Sequence, residues 1–316
     1  MIDYTTATAT AVQSAIAGAG KARGWPVWNI QRPILSKGET NAKQAKGNQD
    51  RRLRPAIIYM TPARGADVKT DNGHVITACT HYGNCADVCL NKTGHGQRLG
   101  VKAARLGKAI LALRFWDFYK LKLAAEVSRH VRLGHAAGVL PVLRANGTSD
   151  IPYVTKMYDE IYAAHDGQHG RPYLQGYEYT KNPAMIRAYL DGHIGRRTWP
   201  RNLHITYSRD EQKHSDAVAV ETLNRGGTVS VVFRDYVPDT WQGFPCIDAT
   251  ADDWRWRQTP GTVAALVALG PEAKTDQSGF VVDNVWPRVF ATPTTAPVRP
   301  QTAPVAAPLA FGHLSG

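Results

Sequence analysis

Apolar positions along this chain recur in two registers. Leu99, Leu106, Ile110, Leu113, Phe118, Leu121 and Val131 fall at helical intervals and predict a long helix over 98–133. Short apolar runs at 55–60, 139–144, 173–179, 203–207, 229–233, 245–247 and 263–269 read as strands. Helical patterns at 154–164, 183–190 and 215–223 lie between the earlier ones. Strand and helix in alternation predict parallel pairing in an α/β fold, here a partial (β/α) barrel of TIM-like type. The last strands stand too close together for crossover helices. The barrel is therefore expected to end in an antiparallel hairpin or an incomplete closure.

The polar positions divide the chain into three regions. Residues 1–50 read as a basic, loosely ordered lead-in and 51–290 as the barrel-like domain. Residues 291–316, rich in Pro, Ala and Thr, read as a flexible, disordered tail that cannot build a core. Over 21–54 the basic residues are opposed only by Glu39 and Asp50, and Trp25 and Trp28 sit among them. Interleaved basic and aromatic residues can track a phosphate backbone and stack on bases. The alternative is that both tryptophans pack onto the domain. Arg98, Lys102, Arg105 and Lys108, three or four apart on the long helix, form one basic stripe, which is expected to be a solvated face.

Composition narrows the classes. The chain has 316 residues, 43% hydrophobic and 20% charged, enough for a sizeable core. The net charge of +12 suits contact with nucleic acid or another polyanion through a basic surface, or simply a soluble basic enzyme. No apolar run reaches membrane-spanning length, so no membrane partner is expected. The polar, Ala/Thr-rich start lacks the features of a secretory signal, and a cytoplasmic protein is the default expectation.

The candidate chemistry begins with the cysteines. Cys79, Cys85 and Cys89 form a C-x5-C-x3-C loop, CTHYGNCADVC, and Cys246 lies far along the chain. In a reducing compartment such a cluster points to metal rather than to disulfides. Thiolates suit an iron–sulphur cluster or zinc. Three ligands on one loop leave a coordination site open for a small molecule. A structural zinc site wants a fourth ligand, for which His81, His95 and Cys246 are available. Cys246 reads mainly as a buried core thiol.

Several predicted strands end in polar residues. RANGTSD supplies Asn146, Ser149 and Asp150, EYTK supplies Glu178, Tyr179 and Lys181, SRDE supplies Ser208, Arg209 and Glu211, and the run after Ile247 supplies Asp248, Asp252, Asp253 and Arg255. One such end is an ordinary turn or cap, and Ser149 or Asp150 capping a helix at Pro152 is the plain alternative. A series of them predicts a converging polar site. There Asp150 and Glu178 hold an ammonium group, while Arg209 or Lys181 holds a carboxylate.

These motifs meet a known family. The cysteine loop continuing as CLNKTGHG, then AARLGKA, RANGTSDIPY, EYTK, ITYSRDE, CIDATADDWRW and SGFVVD run in order from about residue 75 to residue 283. In this the chain resembles the phage "gene product 88" family. Its layout is also similar to radical S-adenosylmethionine enzymes, partial barrels with a cysteine loop after the first barrel strand. That resemblance implies a 4Fe-4S cluster on Cys79, Cys85 and Cys89. It further implies S-adenosylmethionine on the open iron, an external electron donor, and a 5′-deoxyadenosyl radical acting on a nucleotide, nucleic acid or small metabolite. The sequence departs from the usual C-x3-C-x2-C spacing, places Val88 where an aromatic residue is common, and shows no clear Gly-Glu motif after the second strand. The rival expectation is a nucleic-acid-binding phage protein with a structural zinc.

Overall fold

The structure, a computed structural model, describes residues 6–63, 68–69, 75–89, 94–167 and 173–284. The tail expected at 291–316 lies outside the described residues. The main sheet has strands β1 (Ser36–Lys37), β2 (Leu53–Ile57), β3 (Leu140–Arg144), β4 (Gln175–Thr180), β5 (Leu203–Ser208), β6 (Thr228–Phe233), β7 (Thr240–Trp241), β8 (Phe244–Asp248), β9 (Val263–Val267) and β10 (Val281–Val282). Their order is β1-β2-β3-β4-β5-β6-β9-β8-β7, with β10 also on β6. From β2 to β8 every pairing along this order is parallel.

The fold is thus mixed α/β around a mostly parallel sheet, and no sheet closes into the expected barrel. Short antiparallel strands stand at both edges. β1 runs antiparallel along the outer side of β2, and β7 does the same for β8. The β7–β8 pair is the antiparallel hairpin expected near the end, but β9 inserts between it and β6.

Successive parallel strands laid down in one direction put their right-handed crossovers on one side. The helices there are α1 (Thr6–Lys21), α2 (Leu99–Arg114), α3 (Trp116–Ala136), α4 (Pro183–Asp191) and α5 (Ser215–Asn224). They share the main core with inward residues of the sheet such as Leu143, Ile205 and Val231. The opposite face carries a smaller cluster of Leu53, Val142, Tyr177 and Trp254. Alternation along each strand sends Val142 and Leu143 to opposite faces. Residues 41–47 and 249–258 cover this second face and tie the two sheet ends together. Gln44 Nε2 donates to Tyr177 Oη (2.6 Å), Trp254 Nε1 to the Gly47 carbonyl (2.7 Å) and Lys43 Nζ to the Ala249 carbonyl (3.1 Å).

Several expectations are corrected here. The helix predicted over 98–133 is two helices, broken at Phe115, whose φ of −130° and ψ of 54° lie outside the helical range. The basic stripe is not a solvated face: it runs into the core, where Lys108 is buried and its Nζ donates to Ser36 Oγ (3.1 Å). Burial pushes the Lys108 ammonium down to about 8, although Glu126 favours its charge. The helix predicted at 154–164 is a short α-turn, Tyr153–Lys156, then a π-turn, Tyr158–Tyr162. Neither Ser149 nor Asp150 caps it, for Pro152 precedes the helix without a side-chain cap.

From residue 6 the N-terminal segment forms α1 and packs onto the domain. Val12, Ile16, Trp28, Ile30 and Ile34 are buried in the same core as α2, and Trp25 packs against it. The main-chain N–H groups of Ile34 and Leu35 donate to the Glu126 carboxylate of α3 (2.8 and 3.0 Å). Trp28 lies against Gly107, where an added Cβ would meet the indole at 2.6 Å. Gly107→Ala is therefore expected to lower stability by about 1–3 kcal/mol. It should also speed proteolysis within residues 6–34, and unchanged cleavage there would count against this packing. Among the described residues, no helix is long and apolar enough to cross a membrane.

Candidate functional site

The site is built where the parallel strands end at their carboxyl side. Beyond β3 the chain turns through Asn146 to Ile151. Asn146 fixes this turn: its Oδ1 accepts from Ser149 Oγ (2.8 Å) and the Ile151 N–H (2.9 Å), and its Nδ2 donates to the Ile151 carbonyl (2.8 Å). Gly147 donates its N–H to the Ile58 carbonyl (2.9 Å), and a Cβ there would meet that oxygen at 2.7 Å. Glycine is required for so close an approach of two backbones.

This turn receives the cysteine loop. The Asp150 N–H donates to the Ala78 carbonyl (2.8 Å), and Cys79 forms a parallel bridge with Asp150. Cys79 Sγ lies 3.6 Å from the Thr148 carbonyl. On its other side the loop meets the end of β5, where the Asn84 N–H donates to Glu211 Oε1 (2.6 Å). Val88 packs against Ala268, Ala273 and Val281, so residues before β10 help hold the loop down.

Between these elements lies a partly open cavity of about 140 Å³. Its wall includes Cys79, His81, Tyr82, Cys85, Arg144, Asn146, Ser149, Asp150, Tyr179, Lys181 and Ser208. Most of the expected residues from the cysteine loop and the strand ends therefore meet in one place. Cys89, Glu178 and Arg209 are not on that wall. Cys89 is nevertheless close enough for its charge to act on both Cys79 and Cys85. Burial pushes the Cys79 thiol up to about 12, with Asp150 and the other two thiolates adding to the rise. Burial raises the Cys85 thiol as well, opposed by the Lys181 ammonium and reinforced by Glu211 and Cys89.

The carboxylates are more committed than their positions in the sequence imply. Asp150 Oδ1 accepts from Thr180 Oγ1 (2.9 Å) and its Oδ2 from the Lys181 N–H (3.1 Å), which pins β4 to β3. Burial raises its carboxyl above the usual range, partly offset by those donors. Glu178 points to the helix side of the sheet. Tyr162 Oη donates to one of its oxygens and Asn146 Nδ2 to the other (2.6 Å). Burial pushes Glu178 up to about 7 against the pull of both donors. With Asp150, Thr80 and Thr180 it lines a second, smaller cavity of about 30 Å³.

The cations divide similarly. Lys181 Nζ donates to Ser208 Oγ (3.1 Å) and lies 4.9 Å from the centre of the Phe280 ring. Arg209 is taken up elsewhere: its Nε donates to Asp216 (2.7 Å), and its Nη1 to the carbonyls of Gly279 and Phe280. Arg144 stacks over Tyr179 at 4.6 Å and is paired to Asp253 (2.8 Å), which also accepts from Tyr177 and Tyr179.

Of the further contributors, Tyr179, Glu211 and Asp253 lie at the polar strand ends read from the sequence, whereas Tyr162 was not among the residues expected at the site. Glu211 and Asp253 close polar runs already visible in SRDE and DATADD. Tyr162 looks like a core residue in the sequence and carries no separate signal. Among the described residues, no group of three His, Cys, Asp or Glu side chains is arranged to hold a metal ion.

The fold and this cavity define an α/β protein with a cysteine-lined polar site at the carboxyl ends of a mostly parallel sheet. The chain belongs to the phage gene product 88 family, whose family model matches residues 33–284. No curated protein matches, and no solved structure matches. Nothing in these comparisons supports the expected likeness to radical S-adenosylmethionine enzymes.

Proposed function

We propose that this protein holds a 4Fe-4S cluster on Cys79, Cys85 and Cys89. We further propose that it is an enzyme of the radical S-adenosylmethionine type, acting on a nucleotide, nucleic acid or small metabolite. The observation that supports this reading is the convergence of Cys79 and Cys85 with Asn146, Ser149, Asp150, Lys181 and Ser208 around one cavity, with Cys89 within electrostatic reach. The winding of β2 to β6 in chain order supports the related reading of the open sheet as a partial barrel.

The chemistry of the donor set, three thiolates, suits a cluster, and among the described residues no group of three is arranged around a single ion. Zinc needs its ligands around one point, at about 2.3 Å for sulphur. A cluster presents a separate iron to each thiolate, so the sulphurs need only lie around a shared volume. When bound, such a cluster supplies single electrons, drawn from an external donor, to a sulphonium ligand. The protein's own residues do the rest. The cysteine loop is held between Asp150 and Glu211, Lys181 and Ser208 offer donors to a carboxylate, and Tyr82 and Tyr179 provide aromatic walls. The zinc alternative, in a nucleic-acid-binding protein, draws its support from the net charge of +12.

Purification without oxygen, followed by iron and zinc counting and a visible spectrum, separates the two. The expected result is a brown protein with about four irons. Cys85→Ala should lose that iron, while Cys246→Ala, on β8 and packed against the main core, should keep it. A colourless protein containing zinc, or full iron in Cys85→Ala, would refute the cluster.

A further inference from the structure

The amino ends of β2 to β5 lie side by side, because these strands are neighbours and run parallel. Register decides what stands there. Leu53 pairs with Leu140 and Val142 with Gln175, so Arg52 and Tyr173 sit just before their strands on either side of β3. Gly176 pairs with Leu203, which brings Arg201 next in the row, before β5. Neighbouring strands are about 4.8 Å apart, so the row spans about 14 Å. The cavity lies a strand length away, about 17 Å, at the carboxyl ends.

Local contacts fix this end. Asn48 clamps the turn before β2: its Oδ1 accepts from the Leu53 N–H (2.9 Å) and its Nδ2 donates to the Leu53 carbonyl (2.8 Å). Within the turn Arg51 takes a φ of 53°, a left-handed conformation that is costly for a residue with a Cβ. The last turn of α3 rests on the start of β3, where a Cβ on Gly134 would meet Pro141 Cγ at 2.5 Å. Arg129, Arg132 and His135 of α3 are thereby carried to the same end, and all three are exposed. His135 Nε2 donates to the Tyr173 carbonyl (2.9 Å), and the two rings meet edge to face, 5.1 Å between centres. Tyr173 stays 45% exposed.

The charges at this end are unbalanced. Asp50 lies 3.5 Å from Arg52 and Asp166 3.2 Å from Arg201. Arg51, Arg54, Arg129 and Arg132 have no carboxylate in ion-pair range among the described residues. The excess is felt inside the fold: burial first, and then the charge of Arg54, pushes His130 of α3 down to about 4. We propose that this end of the sheet is a binding surface for single-stranded nucleic acid, its arginines following the phosphates while Tyr173 stacks on a base. The phosphates of a strand supply the counter-charge that these arginines lack, and an exposed ring between cations suits a base whose face is free. A duplex hides those faces. The surface involves none of the cysteines, so its test is independent of the cluster.

The test uses the full chain and fluorescence anisotropy with a labelled oligo(dT) of about twelve nucleotides. The same strand paired with oligo(dA), and vesicles of anionic phosphatidylglycerol, serve as competitors. The wild type should bind the single strand most tightly. Arg129→Gln with Arg132→Gln should weaken binding and cut the slope of log K against log salt by about 1.4, as expected for two phosphate contacts on a single strand. Tyr173→Ala should weaken binding about tenfold and leave that slope unchanged, as the loss of one stacked base requires. Lys213→Gln with Lys274→Gln makes the same charge change at the carboxyl ends and should leave binding near the wild-type value. All of these side chains are exposed, so thermal unfolding of the variants should match the wild type. Absent binding, tighter binding to the duplex, full displacement by the vesicles, an equal loss in the lysine variant, or a Tyr173→Ala protein that binds like the wild type each overturns the assignment.

Discussion

Asp253→Ala is expected to lower the unfolding free energy by about 3–5 kcal/mol, the usual cost of stranding one member of a buried ion pair. The Asp253 side chain is only 5% exposed and serves three donors: Arg144 Nη1 (2.8 Å), Tyr177 Oη (2.6 Å) and Tyr179 Oη (3.0 Å). Without it, the Arg144 guanidinium stays buried and unneutralised, and two phenols lose their acceptor. Urea unfolding at neutral pH measures the loss, and an unchanged midpoint would rule out this role. Replacing both partners by apolar residues, Arg144→Met with Asp253→Leu, should recover much of the stability, because the desolvation penalty disappears with the charges. It would also strip the guanidinium from the cavity wall, so stability and ligand binding should separate in this double variant.

The same carboxylate sets an acid limit. Burial alone would raise Asp253, but Arg144 and the two tyrosine hydroxyls outweigh it and hold the carboxyl below its ordinary value. A depressed carboxyl contributes stability that is present above the unfolded value, about 3.9, and is lost as pH falls through the lower folded value. Asp253→Asn should therefore flatten the stability profile in that acid range.

Glu178→Gln is expected to act in the opposite sense. Burial pushes this carboxyl up from 4.5 to about 7. Over that interval the folded protein binds more protons than the unfolded chain, so stability falls as pH rises. By pH 8 the loss is on the order of 3 kcal/mol, since each pH unit between the unfolded and folded values costs about 1.4 kcal/mol. Glutamine mimics the protonated acid: its oxygen accepts from Asn146, and its amide donates to the Tyr162 oxygen. The variant should gain stability at pH 8, change little near pH 4, and lose the slope between. Parallel profiles for wild type and variant would show that Glu178 does not control this dependence. The same comparison bears on the site, because Asn146 joins Glu178 to the turn that receives the cysteine loop.

Local patterning made much of the architecture legible. The predicted run at 203–207 became Leu203–Ser208, and 229–233 became Thr228–Phe233, because short apolar runs between turns leave a strand few alternatives. The helix from Pro183 starts where expected, since Asn182 caps it by accepting from Ala184 and Met185 N–H groups and proline suits its first turn. The cysteine spacing likewise marked one short loop as the centre of interest.

Other features depended on residues distant in sequence. No periodicity could place β9 between β6 and β8, or show that short antiparallel strands would stand at both edges of a sheet that stays open. Lys108 looked like part of a solvated stripe until Ser36, distant in sequence, met its ammonium in the core. Asp150 and Glu178 looked like open acceptors until Thr180, Lys181, Tyr162 and Asn146 filled them, while Glu211 reached the cysteine loop from the end of β5. The division has one physical cause. Strand and helix formation follow from neighbours a few residues away, whereas edge pairing, burial of a charge and the satisfaction of a carboxylate depend on groups that only the packed chain brings within hydrogen-bond reach.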